Sequence, residues 1–401
     1  MSEQNRIEQN RTEQEVRKIY QKVNPSTYPI EKDKDVFKQR MDFMKNLFLY
    51  RLSFPPKMFK NTTLLEFGTG TGENSLFYLL AGASCTFVEM NPLACQRAGK
   101  LFQEYTPELS KYRIVNESLF DFSSQESYDI VISLGVIHHT SNMEKAFEIK
   151  SNYLKKGGFL VLGLRNSAGA FQRNLQRAII YNFAKNEEDI VSLAEELFSG
   201  HLDRAEKYGG RDRKAIIYDS YVNPKVDNIS ISEILNLFSR NSLTMYSSWP
   251  PIIPAILCDA ADRNPLRLEE FPNLMSIAEI VYLSYNKVDA DALIEIEKET
   301  EMVITPFKEI VDLLTDVTPN RPVEFGDVIR KIDTFNLVEK EINPYASHMS
   351  RLTNLLNETK RTIESLQEGN IDSVKKCIKN TKELFRGASG LGMNWYIGYK
   401  P

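Results

Sequence analysis

Three glycines at alternate positions follow an acid in the stretch Glu66-Phe67-Gly68-Thr69-Gly70-Thr71-Gly72. Glycine has no Cβ and tolerates positive φ, so such a loop lets the backbone approach a ligand closely. Three kinds of ligand compete for it. A loop that cradles nucleoside triphosphates needs Lys-Ser or Lys-Thr after its last glycine, and here Glu73 and Asn74 follow. The dinucleotide fingerprint wants its third glycine at position 73, where a helix N-terminus takes up a pyrophosphate. Glu73 would repel that charge. A ligand without phosphate fits better.

Other residues with chemistry to offer lie downstream. Glu89 closes the run "FVEMNP", and a carboxylate there can accept two hydroxyl protons at once. The tandem His138 and His139 end "SLGVIHH", and being adjacent their side chains diverge, so one at most faces a substrate. Tyr218, Asp219 and Tyr221 in "YDSYVNP" form a second cluster: a Tyr can donate to a substrate oxygen, and Asp219 can orient it or act as a base. The plainer alternatives stay open, namely structural histidines and a buried turn pinned by Pro224. Tyr20 and Tyr28 read as packing residues, and Arg211 and Arg213 as a solvated charged loop that would suit an anionic substrate only if it faced one. His201 and His348 fall in helical stretches and read as surface residues.

The elements that must position these groups follow from periodicity. From 61 to 166, continuous apolar runs ("TTLLEFG", "SCTFVEM", "YRIVNES", "YDIVISLG", "GGFLVLGLR") alternate with helical stretches, the signature of a parallel sheet covered on both faces. The chain therefore reads as a doubly wound α/β core. Before it, residues 1–60 form a helical segment whose first dozen polar residues fray and whose helices begin near Glu15 and Asp33. Residues 61–285 make the ligand-binding core, with a substrate-side insertion at 167–226. Residues 286–401 are a helical elaboration in which Leu352, Leu355, Leu356, Ile363 and Leu366, then Val374, Ile378 and Leu384, form the stripes of a helical hairpin.

Composition narrows the function classes. The 401 residues are 42% hydrophobic and 26% charged with a net charge of −4, a balance that argues against a general nucleic-acid binder. Four scattered cysteines, Cys85, Cys95, Cys258 and Cys377, have no metal-ligand spacing, so no metal is expected. The N-terminus lacks an apolar leader and no run is long enough to span a bilayer, which makes the cytoplasm the default location.

The acid-x-Gly-x-Gly-x-Gly pattern resembles the first motif of class I S-adenosylmethionine-dependent methyltransferases, small-molecule type, and the later marks fall in that family's order. The resemblance implies a seven-stranded sheet with an N-terminal helical cap, Gly68, Thr69, Gly70 and Gly72 passing beneath the amino-acid part of the cofactor, and Glu66 near its ammonium. It implies Glu89 on the ribose, with Met90 beside it, and Ser133 at the end of the fourth strand. At the adenine position the family commonly has an acid; this chain has Ser118 with Leu119, and Asp121 three residues on. "SLGVIHHT" looks like the family's loop after the fourth strand, and because a Glu often stands first in the related Glu-His version, His138 is taken as the base or orienting donor; Tyr218 and Asp219 stay a separate catalytic candidate cluster.

The sheet of such enzymes ends in an antiparallel hairpin, so "LTMYSSW" needs a partner. The alternating run "MNWYIGYKP" fits better than "AEIVYLSYNK" (278–287), which makes 393–400 a returning sheet strand and the helices before it an insertion. The expected activity is methyl transfer to a small-molecule or glycan acceptor. One alternative is an RNA or protein methyltransferase holding its substrate on the helical region, where Lys375, Lys376, Lys379, Lys382 and Arg386 are the concentrated basic residues. Another is a non-catalytic cofactor-binding scaffold; a homodimer through the C-terminal helices is a further arrangement. The glycine spacing and Glu73 predict that S-adenosylmethionine and its demethylated product bind one to one and that NAD does not. Calorimetry giving heat with NAD and none with the methyl donor would overturn that reading.

Overall fold

A computed structural model describes residues 3–23, 28, 30–31, 33–106, 111–252, 272–284, 290–315, 317–318, 323–341, 350–386 and 392–401. The apolar runs become strands β1 (Thr63–Phe67), β2 (Ser84–Val88), β3 (Tyr112–Val115), β4 (Tyr128–Leu134), β5 (Leu154–Arg165), β6 (Thr244–Trp249) and β7 (Met393–Tyr399). They form one seven-stranded sheet in the order β3-β2-β1-β4-β5-β7-β6. The first five are mutually parallel, while β7 runs antiparallel to both β5 and β6. This is the doubly wound seven-stranded sheet that the sequence predicts. In β1 every residue from Leu64 onward is buried, as a strand covered on both faces requires.

Side chains alternate between two cores with the period of two that a strand imposes. Ile130 and Ile132 of β4 pack with α2 (Lys34–Asn46), α3 (Leu76–Leu80) and α4 (Pro92–Tyr105); Val131 between them packs on the other face with α5 (Met143–Asn152) and α9 (Ile231–Arg240). Helix starts follow local chemistry. Asn91 caps α4 by accepting from the Leu93 N–H, with Pro92 in the first turn, and Ser230 with Glu233 makes a capping box on α9.

A third core is built mainly from helices. Helices α6 (Phe171–Phe183), α7 (Glu187–Gly209) and α8 (Arg213–Ile217) follow β5; α10 (Pro272–Ser284), α11 (Ala290–Leu313), α12 (Phe325–Glu341), α13 (Ser350–Gln367) and α14 (Ile371–Asn380) follow β6. Phe171, Phe198, Phe307, Phe335 and Leu356 are among its buried members. Buried polar groups tie this body to the sheet. Glu279 of α10 accepts from the Ile231 N–H at 2.7 Å and from Asn166 Nδ2 at 3.2 Å, and Gln172 accepts from the Phe385 N–H at 2.8 Å.

Several expectations change. The polar N-terminus is helical from Glu3, so α1 spans Glu3–Lys22 instead of beginning at Glu15. "YDSYV" is a π-helical turn at Tyr218–Val222 continuing α8. His201 is buried and hydrogen-bonded to Arg173, not a surface residue; His348 and Cys258 lie outside the described residues. Of the two segments weighed as partner for β6, 278–284 is helical and Met393–Tyr399 is the strand. Among the described residues no helix is long and apolar enough to cross a membrane, and no cluster suited to a metal ion is present.

Because β7 lies between β5 and β6, removing residues 390–401 would leave two sheet edges unpaired. The truncated chain is expected to be insoluble or unfolded. A soluble truncation that still binds S-adenosylmethionine would show that the sheet closes without it.

Candidate functional site

Parallel pairing brings the C-terminal ends of β1 to β5 to one edge, where ligands of doubly wound sheets bind. From β1 the chain enters the glycine loop with φ of +79° at Gly68, +59° at Gly70 and +92° at Gly72. A Cβ on Gly68 would lie 2.3 Å from a Val136 methyl, so the loop after β1 and the loop after β4 touch only because that side chain is missing.

Glu89, at the end of β2, is buried and holds the loop in place. Its Oε2 accepts from the Gly70 N–H at 2.9 Å and its Oε1 from the Asn91 N–H at 2.8 Å. Glu66, one strand over, is buried and accepts from the Ser75 hydroxyl. Burial pushes its pKa up to about 8, the Ser75 bond opposes the rise and the Glu89 charge adds to it. Burial also raises the Glu89 pKa, against the backbone N–H groups of Asn91, Gly70 and Met90. Glu73 accepts from the Thr71 hydroxyl within the loop and from the Tyr28 N–H at 3.2 Å, and pairs with Arg97 at 3.2 Å.

The S-adenosylmethionine fit can be tested on these groups. Two buried carboxylates beside a cramped glycine loop suit a ligand bearing cations and oppose a pyrophosphate. In the same loop Thr69 Oγ1 is buried without a hydrogen-bond partner among the described residues. The residues present fit the cofactor.

The post-strand positions are shared with α1, which crosses the edge. Ser118 Oγ donates to Glu13 of α1 at 3.3 Å, and the Ser141 N–H and hydroxyl approach the same carboxylate at 3.4 Å. Leu119 is buried nearby, whereas Asp121 is exposed. Glu13 was missed in the sequence because it lies in a polar stretch with no apolar stripe to mark its face. Two turns on, Tyr20 accepts from Asn91 Nδ2 through its carbonyl at 3.2 Å and sets its ring edge-on to His139 at 6.0 Å. Ser133 is buried in β4 and donates to the Phe67 carbonyl at 3.4 Å, which places it under the glycine loop.

The histidines divide. His138 is buried and its Nδ1 has no partner among the described residues; burial, then His139, then Arg165 hold its pKa well below the ordinary value. His139 is the one that meets Asp219, with Nε2 3.8 Å from Oδ1. Its Nδ1 lies 2.7 Å from the Lys225 carbonyl, which fixes the proton there and leaves a lone pair on Nε2. Burial lowers the His139 pKa, with Asp219 opposing. Arg211 Nη1 pairs with the other Asp219 oxygen at 3.1 Å. Burial alone would raise the Asp219 pKa, but Arg211 and then His139 turn the net shift downward. Tyr218 is not in this group, since its hydroxyl donates to Glu187 at 2.7 Å. Arg213 pairs with Glu195 and Asp203.

Residues 65–160 match a family described as a methyltransferase domain. A hybrid PKS-NRPS synthetase of Trichoderma harzianum is 29% identical over 111 residues, 26% of this chain and 3% of that one. Ribosomal RNA small subunit methyltransferase A of Bifidobacterium adolescentis is 34% identical over 80 residues, 18% of this chain and 26% of that one. This chain thus spans a minor part of the length of either relative. Among solved structures, the N-methyltransferase NodS of Bradyrhizobium japonicum with S-adenosyl-L-homocysteine is 20% identical with a TM-score of 0.29, over 40% of this chain and 74% of that one.

Glu66 generates a pH prediction. With its pKa near 8, the carboxyl is about nine-tenths protonated at pH 7 in the absence of ligand. A cation bound beside it favours the carboxylate, so binding expels that proton below pH 8, and affinity for the methyl donor rises with pH up to that point. Calorimetry at pH 7 in buffers of different ionisation enthalpy should read a release near one proton, abolished in Glu66→Gln. No difference between the two proteins would remove Glu66 from the site.

Proposed function

We propose that this chain, built around a class I S-adenosylmethionine-dependent methyltransferase domain at residues 65–160, moves a methyl group to a small-molecule or glycan acceptor. The observation that carries the reading is the Glu89 carboxylate gripping the Gly70 and Asn91 N–H groups one strand away from the buried Glu66. When bound, the cofactor supplies a methyl group on a sulfonium, and displacement neutralises the charge at sulfur. The protein's work is alignment and exclusion of water.

In this reading Glu66, Gly68, Thr69, Gly70 and Gly72 receive the amino-acid end, Glu89 and Met90 the ribose, and Leu119 with the Ser118–Glu13 pair the base, while Ser133 supports the loop from below. Helix α1 keeps water from the edge. On the acceptor side the Nε2 lone pair of His139 and Oδ1 of Asp219 are two proton acceptors 3.8 Å apart. An acceptor O–H or N–H placed between them would be oriented and relieved of its proton. His138 backs His139, while Tyr218, bonded to Glu187, lies outside the group. The basic residues of the hairpin give little support to a macromolecular substrate: Lys375 pairs with Glu196 and Asp372, and Arg386 turns to backbone carbonyls.

The test is transfer from methyl-labelled cofactor into fractionated cell extract. Label is expected in the small-molecule or glycan fraction; label in RNA or protein would favour the macromolecular alternative. Asp219→Asn should lower kcat by about 10²–10⁴-fold with affinity for S-adenosylhomocysteine unchanged. Undiminished turnover would free Asp219 of any role in chemistry.

A further inference from the structure

Three guanidinium groups gather beside the acceptor side with no carboxylate paired directly to them among the described residues. Arg165 ends β5, and Arg173 and Arg177 lie on α6. None of the three has a carboxylate within ion-pair distance among the described residues; the acid that interacts with Arg165 and Arg177 is Asp219, already shared between Arg211 and His139. Arg177 is buried and Arg165 and Arg173 are half-buried, and a guanidinium withdrawn from water is ordinarily paired, because an uncompensated charge in a low-dielectric surrounding is expensive.

The three are not equivalent. Arg177, 1% exposed, spends its N–H groups on the carbonyls of Val317, Ser220 and Asn223 at 3.0–3.2 Å, so its bonds are satisfied but its charge is not. Arg173 bonds to His201 and lies over the Tyr221 ring, with Nη1 buried and without a partner among the described residues. Among those residues the Arg165 side chain makes one long bond, Nη2 to Asn174 Oδ1 at 3.4 Å. Burial, then Arg177, then Arg173, push its pKa down to about 9. Its field reaches His138, His139 and Asp219, which are the acceptor groups, and beside it His138 Nδ1 also waits for a partner. In the sheet, β5 is separated from β1 by β4, about 10 Å at two strand spacings. That puts Arg165 away from the glycine loop.

We propose that the methyl acceptor carries an oxyanion, a carboxylate or a phosphate, that docks on Arg165. The inference rests on the methyltransferase reading for the identity of the acceptor side. A planar guanidinium with unspent N–H groups offers the bidentate fork that such anions take. Arg173 and Arg177 contribute charge without contact, and the anion completes a cluster that the chain leaves positive.

The experiment has two arms on the full chain. In the first, product labelled from the methyl donor is passed over anion-exchange resin. Retained label supports the proposal and unretained label overturns it; phosphatase treatment then releases a phosphate-bearing product from the resin and leaves a carboxylate retained. Arg165→Gln should raise the acceptor KM by about 10–100-fold, the range of a lost charged hydrogen bond, and Arg165→Lys should recover part of it. In the second arm, the protein saturated with S-adenosylhomocysteine is melted in inorganic phosphate, acetate or chloride at equal ionic strength. Phosphate or acetate should raise Tm in the wild type and not in Arg165→Gln. Equal melting in all three salts would overturn the proposal, as would a loss of S-adenosylhomocysteine affinity in Arg165→Gln, which would assign Arg165 to the cofactor's carboxylate. Failure of the wild type to bind S-adenosylhomocysteine at all would instead strike the methyltransferase reading, while anion stabilisation, read without the cofactor, judges Arg165 by itself.

Discussion

Two carboxylates buried side by side without a cation set the terms for the rest of the molecule. Glu66 and Glu89 end neighbouring parallel strands, and each is met by hydrogen-bond donors but by no Lys or Arg among the described residues. Burial favours their neutral forms, while hydrogen bonds and a positive ligand favour the charged ones. A site of this kind stays poised until a cation arrives. The glycine loop is shaped by the same demand, since its N–H groups must turn toward Glu89 while its Cα atoms pass against Val136.

The opposite imbalance lies two strands away. Around Asp219 the chain gathers Arg165, Arg177 and Arg211, so charge along the edge changes sign between the ends of β1 and β2 and the end of β5. Helix α1 spans the acidic half and reaches His139, with Glu13 over the loops after β3 and β4 and Tyr20 between Asn91 and His139. Its polar sequence suits a cover that contacts loops and ligand more than a core.

The helical body serves the site from behind. Arg177 pins the Ser220 and Asn223 carbonyls, which fixes the π-helical turn bearing Asp219. Glu279 satisfies the start of α9, and β7 then returns through the middle of the sheet's far half. The turn that bears Asp219 therefore depends for its hydrogen bonds on a helix 43 to 46 residues earlier in the chain.

How much of this the sequence carried depended on the range of the interaction. The strand–helix alternation, the glycine loop and the acid ending β2 were legible because each is a local pattern: side-chain period, absent Cβ, and a strand end that parallel pairing must bring to one edge. The closing strand was legible too, from its alternation of Trp395, Ile397 and Tyr399. Helix α1 was shortened in the sequence reading because a helix covering loops needs no apolar stripe. The choice between His138 and His139 lay beyond local pattern, since it turns on Lys225, Asp219 and Arg211 arriving from a distant insertion. The guanidinium cluster was likewise invisible, because a sequence shows that an Arg is present and only the packed chain shows whether a carboxylate came with it. The sequence by itself determined the sheet, the loop and the cofactor class, all set by short-range geometry; the tertiary structure decided which titratable groups face one another, because that depends on contacts across the chain that no local spacing encodes.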